Sequence, residues 1–416
     1  MGACRPPRFP KVSSHTDSEA LKVAPVLHVN WRAAARIRRG HVWVYRSDLV
    51  GSDQAPPGSL VRVQDEAGKF LGAALYSNSS QIALRMLGGE RLEPAGLVEF
   101  LRERLLGAIA YRRRIVRDTD AYRVVFSEGD GLPGLIVDRY NDIVSLQVLT
   151  QAMDRDEIRE ALLETLVDQF HPAAVVERVE PRIRELEQLP AREEGLRYGE
   201  KTDTQFTMNG VRFHFHALAG QKTGAFLDQR ENYAAAATYA HGEALDVFCY
   251  QGGFALHLAR VCSQVTAVDS SRPALEIAEE NEKLNSEAHG GREIEWMEAS
   301  AFDLLKDYAT AGRHYDTIVL DPPAFAKSRK ALATAMRGYK ELNLRALKML
   351  RPGGVLVTCS CSFHVREADF LEMLQAAACD ARKSPKVIEK RGQAKDHPVL
   401  LAVPETAYLK CVVLTV

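Results

Sequence analysis

Between residues 26 and 86 the chain alternates short apolar runs with turn residues. Residues 42–45, 60–63 and 70–76 carry the β-branched, aromatic and alternating pattern that is typical of strands. The Pro56-Pro57-Gly58 sequence between two of them is typical of a turn. This part of the chain is therefore predicted to be a small β-rich module.

Longer periodic segments follow the β-rich module. Leu101, Leu105 and Ile109 recur at helical spacing, which predicts a helix from residue 97 to about residue 117. Residues 124–149 have the pattern of a hairpin with a glycine-rich turn before it. The segments after the hairpin are a predicted helix at 155–170, a predicted strand at 174–177 and a charged stretch at 181–198 that is either loop or insert.

From residue 244 onward, continuous apolar strands alternate with amphipathic helices. The predicted strands lie at 244–249, 264–269, 315–321 and 354–359. The predicted helices lie at 254–261, 272–284 and 336–350. Such strands between such helices indicate a mostly parallel sheet covered on both faces. This is the Rossmann-like, doubly wound α/β class, whose ligand lies outside the carboxyl ends of the strands.

These patterns divide the chain into four segments. Residues 1–24 show no apolar period and contain Pro6, Pro7 and Pro10, so they are predicted to be a disordered tail. The three predicted domains are the β-rich module at 25–95, a small α+β middle region at 96–205 and the α/β domain at 206–416.

Composition narrows the class of protein. With 416 residues, of which 46% are hydrophobic, the chain can bury large cores. The 54 Lys and Arg residues against 55 Asp and Glu residues exclude a uniformly basic nucleic-acid coat, although not a local basic patch. No apolar run reaches the ~18 residues of a membrane span, and the seven cysteines follow no disulfide framework. We expect a cytoplasmic protein that does not bind membranes.

A glycine turn follows the first strand of the α/β domain. After Asp246 the chain reaches Gly252-Gly253, where a missing Cβ lets a ligand approach backbone N–H groups. The next strand ends in Asp269, where an acid can hold a ribose diol, and a later strand ends in Asp321-Pro-Pro323. These carboxylates fit the cationic sulfonium and amino groups of S-adenosylmethionine. The alternative is that the glycines only turn the chain and Asp269 caps a helix.

A polar stretch at residues 221–230 precedes the first strand of the α/β domain. We expect it to fold back over the methionine end of the cofactor, so that Asp228 and Arg230 pair with the amine and the carboxylate. By itself the stretch is equally typical of a helix start with a charged cap.

Two cysteines stand at the carboxyl end of the last predicted strand. Cys359 and Cys361 lie beside the Asp321-Pro-Pro323 loop, and the period of two places both on one face. A thiolate that adds to C6 of a pyrimidine turns C5 into a methyl acceptor, which is a role for such a cysteine. A Cys-x-Cys pair without histidines is too little for zinc, so no metal is expected. The alternative is that both cysteines are inert strand residues.

Arginines and aromatic residues alternate near the start of the β-rich module. Five arginines stand against one acidic residue, Asp48, between residues 31 and 50. This pattern suits phosphate contact together with base stacking. The predicted helix at 97–117 adds further arginines, and a solvated helix face is the alternative for that run. The candidate RNA contacts in the module are Arg36, Arg38 and Arg39.

Many of these segments stand in the order found in one known family. The marks are residues 40–45, 129–139 and 222–232, Gly252-Gly253-Phe254, Asp321-Pro-Pro-Ala-Phe, Ser360-Cys-Ser, Asp396-His-Pro398 and Tyr408-Leu-Lys. Over residues 27–416 the chain resembles the RlmI-like family. Its members are class I S-adenosylmethionine-dependent methyltransferases with an N-terminal PUA domain, and they make 5-methylcytosine in large-subunit (23S) ribosomal RNA.

The resemblance implies a role for one of the two cysteines. In related cytosine methyltransferases the nucleophile stands seven residues beyond the Pro-Gly-Gly turn, and seven residues after Gly354 is Cys361. A register error of two would move the role to Cys359. The better-known cytosine enzymes carry a second cysteine where this chain has Ala324, so the group that removes the C5 proton is left open.

The resemblance also implies a cofactor site. The acid that commonly contacts the adenine amino group is replaced by Ser300 or Ala299, which favours stacking by Phe302. The residues expected to bind S-adenosylmethionine are Phe226, Asp228, Gln229, Arg230, Asp246, Phe248, Tyr250, Gly252, Gly253, Phe254, Asp269, Ser270, Phe302 and Asp321.

The expected function is cytosine-C5 methylation of large-subunit ribosomal RNA. The PUA-like module positions the RNA, the target base is extruded, Cys361 attacks C6 and Asp321 hydrogen-bonds the cytosine edge, with Pro322 and Pro323 beside it. One alternative is methylation of a base nitrogen, which needs no cysteine. Another is a non-catalytic RNA-binding assembly factor. The sequence leaves open whether the protein is a homodimer and which nucleotide is the target. It also leaves open whether the substrate is naked RNA or an assembled subunit.

Overall fold

A computed structural model describes residues 23–51, 55–218, 225–287, 290, 292–326 and 328–416. Residues 1–22 of the predicted tail and residues 221–224 of the predicted cofactor stretch lie outside this part of the chain. Within it, no helix is both long and apolar enough to cross a membrane. The described residues form three α/β or β-rich units in chain order, and a hairpin links the second unit to the third.

The first unit is a six-stranded sheet. Its strands are β1 (Val26–Val29), β2 (Trp43–Tyr45), β3 (Leu49–Val50), β4 (Leu60–Asp65), β5 (Phe70–Tyr76) and β6 (Ile82–Gly88), in the order β2-β6-β5-β4-β1-β3. β2, β4 and β5 coincide with predicted strands. The sheet encloses a small apolar core that includes Leu27, Val44 and Leu84.

One element of this unit differs from the sequence pattern. Where only strands were predicted, residues 31–38 form a helix, α1 (Trp31–Arg38). The run of alanines from Ala33 favours a helix, and the Asn30 side chain accepts a hydrogen bond from the Ala33 amide at 2.9 Å, which caps it. Two turns are too short to show a helical period, so the pattern missed it.

The middle unit places two long helices on a five-stranded sheet. Its elements are α2 (Leu97–Ile115), β7 (Ala121–Phe126), β8 (Leu135–Tyr140), β9 (Ile143–Val148), α3 (Asp156–Phe170), β10 (Ala174–Glu177), α4 (Pro181–Leu186) and β11 (Gly195–Gly199), with the sheet order β11-β10-β9-β8-β7. The predicted hairpin is thus part of a three-stranded meander. The charged stretch holds α4 and leads into the edge strand β11.

Polar contacts fix the first unit against the middle unit. The Trp43 indole donates to the Glu128 carboxylate at 3.0 Å, and the buried Arg85 guanidinium pairs with Glu187 at 2.8 Å. Arg85 and Glu187 are buried between the units, and Trp43 and Glu128 are partly buried, so the β-rich module has a defined orientation.

A two-stranded hairpin links the middle unit to the last one. It consists of β12 (Asp203–Met208) and β13 (Val211–His216), paired over their whole length. The predicted domain boundary between residues 205 and 206 falls inside β12, so it would divide a single hairpin. Phe215 stacks on Tyr140 of the middle sheet with ring centroids 4.0 Å apart, which ties the hairpin to that sheet.

The last unit is a seven-stranded sheet with helices on both faces. Its elements are α5 (Arg230–Tyr239), β14 (Glu243–Val247), α6 (Gly253–Leu258), β15 (Gln264–Asp269), α7 (Arg272–Asn285), β16 (Ile294–Glu298), α8 (Ala301–Thr310), β17 (Tyr315–Leu320), α9 (Leu332–Met349), β18 (Leu350–Ser360), α10 (Glu367–Asp380), β19 (Lys386–Arg391) and β20 (Lys410–Thr415). The strand order is β16-β15-β14-β17-β18-β20-β19. β20 runs antiparallel to β18 and β19 on its two sides, and the other neighbouring pairs are parallel. This is the predicted doubly wound arrangement.

The topology of this sheet brings the predicted site residues together. β14, β15, β17 and β18 are parallel, so Asp246, Asp269, Asp321 and Cys361 all lie at the same carboxyl edge. Apolar residues on both faces of the sheet are buried under the helices. A crevice at that edge is where a doubly wound sheet binds its ligand.

Candidate active site

The chain leaves β14 through a strained turn. Phe248 and Tyr250 have φ of 71° and 50°, and Gly252 has φ of 85°. Residues other than glycine pay of order 1–3 kcal/mol for such a conformation, and it persists where the surroundings hold it. Here the Val268 carbonyl of β15 accepts the amides of Phe248 and Cys249 at 2.9 and 3.0 Å. The turn is therefore held open by the neighbouring strand.

Asp269 supports this turn from the end of β15. Its carboxylate accepts the Tyr250 amide and the Ser271 amide, each at 2.9 Å. The cap of α7 is the Ser271 side chain, which accepts from the Ala274 amide. Asp269 is therefore not the capping residue, and its carboxylate retains lone pairs for a ligand.

Glycine is needed at both positions of the turn because neighbouring side chains leave no room for a Cβ. A Cβ on Gly252 would lie 2.8 Å from the Trp296 ring, and a Cβ on Gly253 would lie 2.5 Å from the Tyr233 hydroxyl. The expectation was that a ligand needs the space at these glycines. The structure gives a different reason, because both positions are already closely packed.

Three carboxyl groups crowd the crevice. Asp246 is fully buried, and neither of its carboxylate oxygens receives a well-formed hydrogen bond from a described residue. Burial and the neighbouring Asp321 raise the pKa of Asp246 well above its usual range, and the Ala255 amide opposes this only in part. Burial and Asp228 raise the pKa of Asp321 to about 7, against a 2.9 Å hydrogen bond from Gln229. Such a cluster is suited to a cation.

Arg230 does not take part in this crevice. Its two terminal nitrogens donate to the carboxylate of Asp396 at 2.7 and 3.1 Å, and both residues are buried. Although burial works against ionisation, His397 and Arg230 hold the pKa of Asp396 well below its usual range. The guanidinium that was expected to bind the cofactor carboxylate is therefore engaged within the protein.

The residues beside Arg230 point to the crevice instead. Gln229 donates to Asp321 and accepts from Asn232 at 2.6 Å. Asp228 accepts a 2.5 Å hydrogen bond from the Tyr408 hydroxyl. Residues 226–230 are thus fixed to both the β17 end and the C-terminal segment.

Cys361 follows the last residue of β18 and is held between two buried serines. The hydroxyls of Ser360 and Ser362 lie 3.0 and 2.9 Å from the Tyr339 hydroxyl, and the Ser362 hydroxyl accepts the Ala326 amide at 3.1 Å. Cys361 itself is partly exposed, and its thiol donates to the Pro322 carbonyl at 3.9 Å. The backbone is clamped on both sides while the thiol remains reachable.

Cys359 has a different environment. It is fully buried and lies opposite Cys411 of β20. Burial, Cys411 and Asp321 raise the pKa of its thiol well above the usual range. A buried, protonated thiol is a poor nucleophile, so the shared strand face does not make the two cysteines equivalent.

The loop after β17 forms the other wall. Pro322 is buried and Pro323 is exposed, and Ala324 offers no thiol in the position of the second cysteine. Phe325 packs between the Phe302 and Tyr339 rings, at centroid distances of 6.0 and 4.8 Å.

Comparison with known proteins agrees with this geometry. Residues 27–88 match the PUA-like domain family, and residues 185–414 match the S-adenosylmethionine-dependent methyltransferase family. The ribosomal RNA large subunit methyltransferase I of Photobacterium profundum is 38% identical over 384 residues, which cover 90% of this chain and 95% of the relative. Its counterpart in Aeromonas hydrophila is 36% identical over 397 residues, covering 93% and 98%. The chain belongs to the ribosomal RNA large subunit methyltransferase I family.

Solved structures share the fold over nearly the whole chain. A candidate S-adenosylmethionine-dependent methyltransferase from Streptococcus mutans has a TM-score of 0.78 at 18% identity, covering 94% of this chain and all of the other. A candidate methyltransferase complexed with SAH has a TM-score of 0.79, with the same identity and coverage. At this identity the likeness concerns the fold. Together with the two family matches, it confirms the predicted methyltransferase domain behind a PUA-like module.

Family membership makes S-adenosylmethionine the cofactor of this enzyme, and the residues present fit it. The buried Asp246 carboxylate lacks a cation, and Asp269 stands where a ribose diol would be held. Phe302 and Phe226 each expose 39% of their surface beside the crevice, and Phe226 meets the Tyr250 ring edge-on at 5.0 Å. Anions for the cofactor's charges and rings for its adenine are therefore both in place.

Three other expected cofactor residues have different surroundings. Phe254 is buried and packs edge-on against Tyr233 at 4.7 Å, so its side chain belongs to the core. Ser270 is exposed next to Asp269, and Phe248 is partly buried in the turn. Among the described residues, no group of three or more His, Cys, Asp or Glu could hold a metal ion.

The arginines expected to bind RNA are partly paired within the protein. Arg36 forms an ion pair with Asp48, and Arg38 forms one with Asp65. Arg39 is exposed at the end of α1. Trp31 exposes 67% of its surface, with the Arg32 guanidinium 5.4 Å from its ring centroid. The Arg38–Asp65 pair is exposed, and such pairs are weak, typically 0–1 kcal/mol, so a phosphate can compete for Arg38. Arg36 is less available, because its partner Asp48 is buried.

Two arginines of α2 are engaged in contacts within the protein. Arg112 is fully buried, forms a bidentate pair with Asp130 and donates to the Asp396 carbonyl at 2.6 Å. Arg113 donates to the Gln169 carbonyl at 3.1 Å. The predicted run also includes the exposed Arg104, Arg114 and Arg117, so a role of the run in RNA binding stays a prediction.

Several functional residues were not found from the sequence. Tyr339 clamps the nucleophile segment, Asn232 orients Gln229, and Tyr408 holds Asp228. Tyr408-Leu-Lys was visible as a family mark, but nothing in the pattern showed that a C-terminal strand would carry it back to the crevice.

Proposed function

We propose that this enzyme forms 5-methylcytosine in large-subunit ribosomal RNA through Cys361. The observation that carries the proposal is the placement of one partly exposed thiol at the methyl-transfer edge, clamped by Ser360 and Ser362. A base nitrogen has a lone pair and needs no such nucleophile. A carbon acceptor does need one, because it must first be made electron-rich.

The proposed reaction uses the chain's own residues as follows. The thiolate of Cys361 forms a bond to C6, and the electrons of the C5–C6 double bond become available at C5. Bound S-adenosylmethionine supplies the methyl group that C5 takes up. A base then removes the C5 proton, the C5–C6 double bond re-forms and the S–C6 bond breaks. Ala324 leaves that base unassigned.

The role of Asp321 follows from its position. Its carboxyl lies at the end of β17, next to the Pro322 carbonyl that faces the Cys361 thiol. With a pKa raised to about 7 by burial and Asp228, it can accept a hydrogen bond from the cytosine amine or donate one to N3. We assign it to the Watson–Crick edge of the extruded base.

Ribosomal RNA as the substrate rests on the relatives, which are named for it. The PUA-like module, with exposed Trp31, Arg32 and Arg39, is assigned to the RNA. This substrate also implies a cytoplasmic enzyme. The homodimer stays a prediction, which light scattering of the purified protein can test.

A covalent trap tests the nucleophile. Large-subunit RNA transcribed with 5-fluorocytidine is incubated with enzyme and S-adenosylmethionine, and adducts are mapped by mass spectrometry. Fluorine at C5 cannot leave as a cation, so the thioether persists. Wild type and Cys359→Ala should form an adduct on Cys361, and Cys361→Ala should form none. An adduct on Cys359 would move the nucleophile.

A second measurement, on RNA from cells, separates the proposed reaction from its alternatives. Methylated nucleosides are measured in RNA from a strain that lacks the enzyme and from one that carries Cys361→Ala. Loss of one 5-methylcytosine in both strains supports the proposal. Loss of a nitrogen-methylated base in the deletion strain alone, with no adduct on any cysteine, would replace it with base-nitrogen methylation. RNA binding without methyl transfer would favour an assembly factor.

A further inference from the structure

A buried lysine lies next to the nucleophile segment. Lys410, at the start of β20, is 7% exposed, and its ammonium donates to the Ser362 carbonyl at 2.7 Å and to the Tyr408 carbonyl at 2.8 Å. It forms no ion pair with a carboxylate among the residues that the structure describes. Backbone carbonyls solvate an ammonium but do not neutralise its charge, and a buried charge is costly without a counter-ion.

The geometry places this charge beside one thiol. Ser362 directly follows Cys361, so Lys410 is bonded to the residue that adjoins the nucleophile. Burial lowers the pKa of Lys410 to about 8, and Cys361 opposes that change. Because electrostatic coupling is mutual, an ammonium stabilised by the sulfur anion also stabilises that anion.

Three other titratable groups that the structure describes near Cys361 do not provide a positive charge. Tyr339 of α9 and Tyr408 before β20 face it, and burial raises the pKa of both phenols, so they are neutral at physiological pH. Asp321 of the opposite wall is acidic. Lys410 is therefore the one cation among these four neighbours.

We propose that Lys410 holds Cys361 in its thiolate form. This inference rests on the proposed function, in which that thiolate attacks C6. The ionisation balances simply: the S–H bond breaks, the proton passes to solvent water, and the anion stays paired with the ammonium. Lys410 acts through Cys361 and does not touch the RNA, so it is a positioning residue.

The consequence is a larger fraction of reactive thiolate. An ordinary cysteine has a pKa near 8.5 and is only a few per cent ionised at pH 7. A nearby cation raises that fraction, and each tenfold gain corresponds to about 1.4 kcal/mol. A C-terminal strand that brings an ammonium back to the β18 end would thus activate the nucleophile before any substrate binds.

Alkylation of the full-length protein tests this without RNA or cofactor. The rate of iodoacetamide reaction at each cysteine is followed from pH 5.5 to 9.5 by mass spectrometry, with the exposed Cys379 as an internal reference. In the wild type, Cys361 should react with a midpoint at least one pH unit below that of Cys379. Equal midpoints in the unmodified protein would overturn the inference.

Variants identify the cation. Lys410→Met should slow alkylation of Cys361 at pH 7 at least fivefold and raise its midpoint, whereas Lys410→Arg should stay near the wild type. Lys383→Met is the matched control, because Lys383 also donates to a backbone carbonyl, that of Leu350 at 3.1 Å, at the far end of β18. It should leave Cys361 unchanged. An unchanged midpoint in Lys410→Met, with S-adenosylmethionine affinity intact, would contradict the role.

The two proposals fail separately. If the midpoint depends on Lys410 but the 5-fluorocytidine RNA gives no adduct, the thiolate inference stands and the cytosine-C5 mechanism falls. If the adduct forms at the same rate in Lys410→Met as in the wild type, the mechanism stands and the role of Lys410 falls.

Discussion

Two fully buried aspartates in the methyltransferase domain have opposite environments. Asp396 pairs with Arg230 through two hydrogen bonds, accepts the Arg123 amide at 2.9 Å and has its pKa held low. Asp246 has no comparable partner among the described residues, and its pKa is raised. The difference separates a carboxylate that stabilises the fold from one that is available to a cationic ligand.

The largest effect should come from breaking the paired carboxylate. Arg230→Met leaves Asp396 buried without its guanidinium, and loss of one partner from a buried pair typically costs 3–5 kcal/mol. We expect the free energy of unfolding in urea to fall by about that amount.

The control is Arg351→Met. Arg351 pairs with Glu243 and Asp316 at the opposite, partly exposed end of the sheet, where such pairs contribute about 0–1 kcal/mol. Equal losses in the two variants would show that burial of the Asp396 pair is not what stabilises it.

The unpaired carboxylate should behave in the reverse way. Asp246→Asn replaces a buried carboxyl group whose ionised form is disfavoured in the cofactor-free protein and has no partner among the described residues, so the stability of the cofactor-free protein should not decrease. S-adenosylmethionine affinity should fall at least tenfold, about 1.4 kcal/mol, because a charged hydrogen bond contributes about 1.5–3 kcal/mol. Calorimetry measures both the affinity and, through thermal unfolding, the stability.

Asp303→Asn is the matched control for affinity. It removes an exposed carboxylate from the first turn of α8, next to Phe302, and should leave the dissociation constant unchanged. Unaltered affinity in Asp246→Asn would show that this aspartate does not contribute to binding of S-adenosylmethionine.

The pH dependence of stability should also differ in sign between the two kinds of carboxylate. The ionised Asp396 carboxylate, with its low pKa, stabilises the fold at pH values above the pKa of about 3.9 that an aspartate has in the unfolded chain. This stabilisation is lost as the pH falls. Asp321 has a folded pKa of about 7. The folded state therefore binds its proton more tightly, and stability should decrease as pH rises from about 4 to 7.

Unfolding of wild type and Asp321→Asn across this pH range isolates the contribution of Asp321. The wild type should lose stability relative to the variant with a slope of at most about 1.4 kcal/mol per pH unit. Parallel curves would mean that the Asp321 carboxyl is ionised as readily in the fold as in solution.

These residues also show what a sequence can predict. Asp246, Gly252, Asp269, Asp321 and Cys361 were found because each stands at a strand end, and strand ends follow from local periodicity. Parallel topology then places them at one edge. Local pattern and three-dimensional position coincide for residues of this kind.

The partners of these residues could not be found in the same way. Arg230 and Asp396 are separated by 166 positions, and Lys410 reaches Ser362 across 48. Arg230 has the chemistry of a ligand-binding residue. Only the fold shows that its guanidinium is already paired with the Asp396 carboxylate. Charge in a motif predicts a partner, but not whether that partner is a cofactor or another part of the chain.

The smallest effect concerns two ion pairs that are more exposed than the Arg230–Asp396 pair. Arg36 and Arg38 are neutralised by Asp48 and Asp65, and Arg39 lies beside them. The exposed Arg38–Asp65 pair contributes about 0–1 kcal/mol, and the buried Asp48 keeps hydrogen bonds from the Tyr45 amide and the Asn30 side chain. Replacing all three arginines with alanine should therefore lower stability less than Arg230→Met does. RNA binding should weaken, and its salt dependence should flatten by about 2 in the slope of log K against log salt, since fewer counterions are released.

The matched control replaces three paired, partly exposed arginines outside the PUA-like module: Arg155, Arg272 and Arg345. It should bind RNA with the wild-type slope, and both triple variants should bind S-adenosylmethionine normally, because the arginines lie outside the crevice. An unchanged slope in the first variant would show that its intramolecular pairs survive in the complex. The arginines of α1 would then belong with Arg230, as charges already satisfied by the fold.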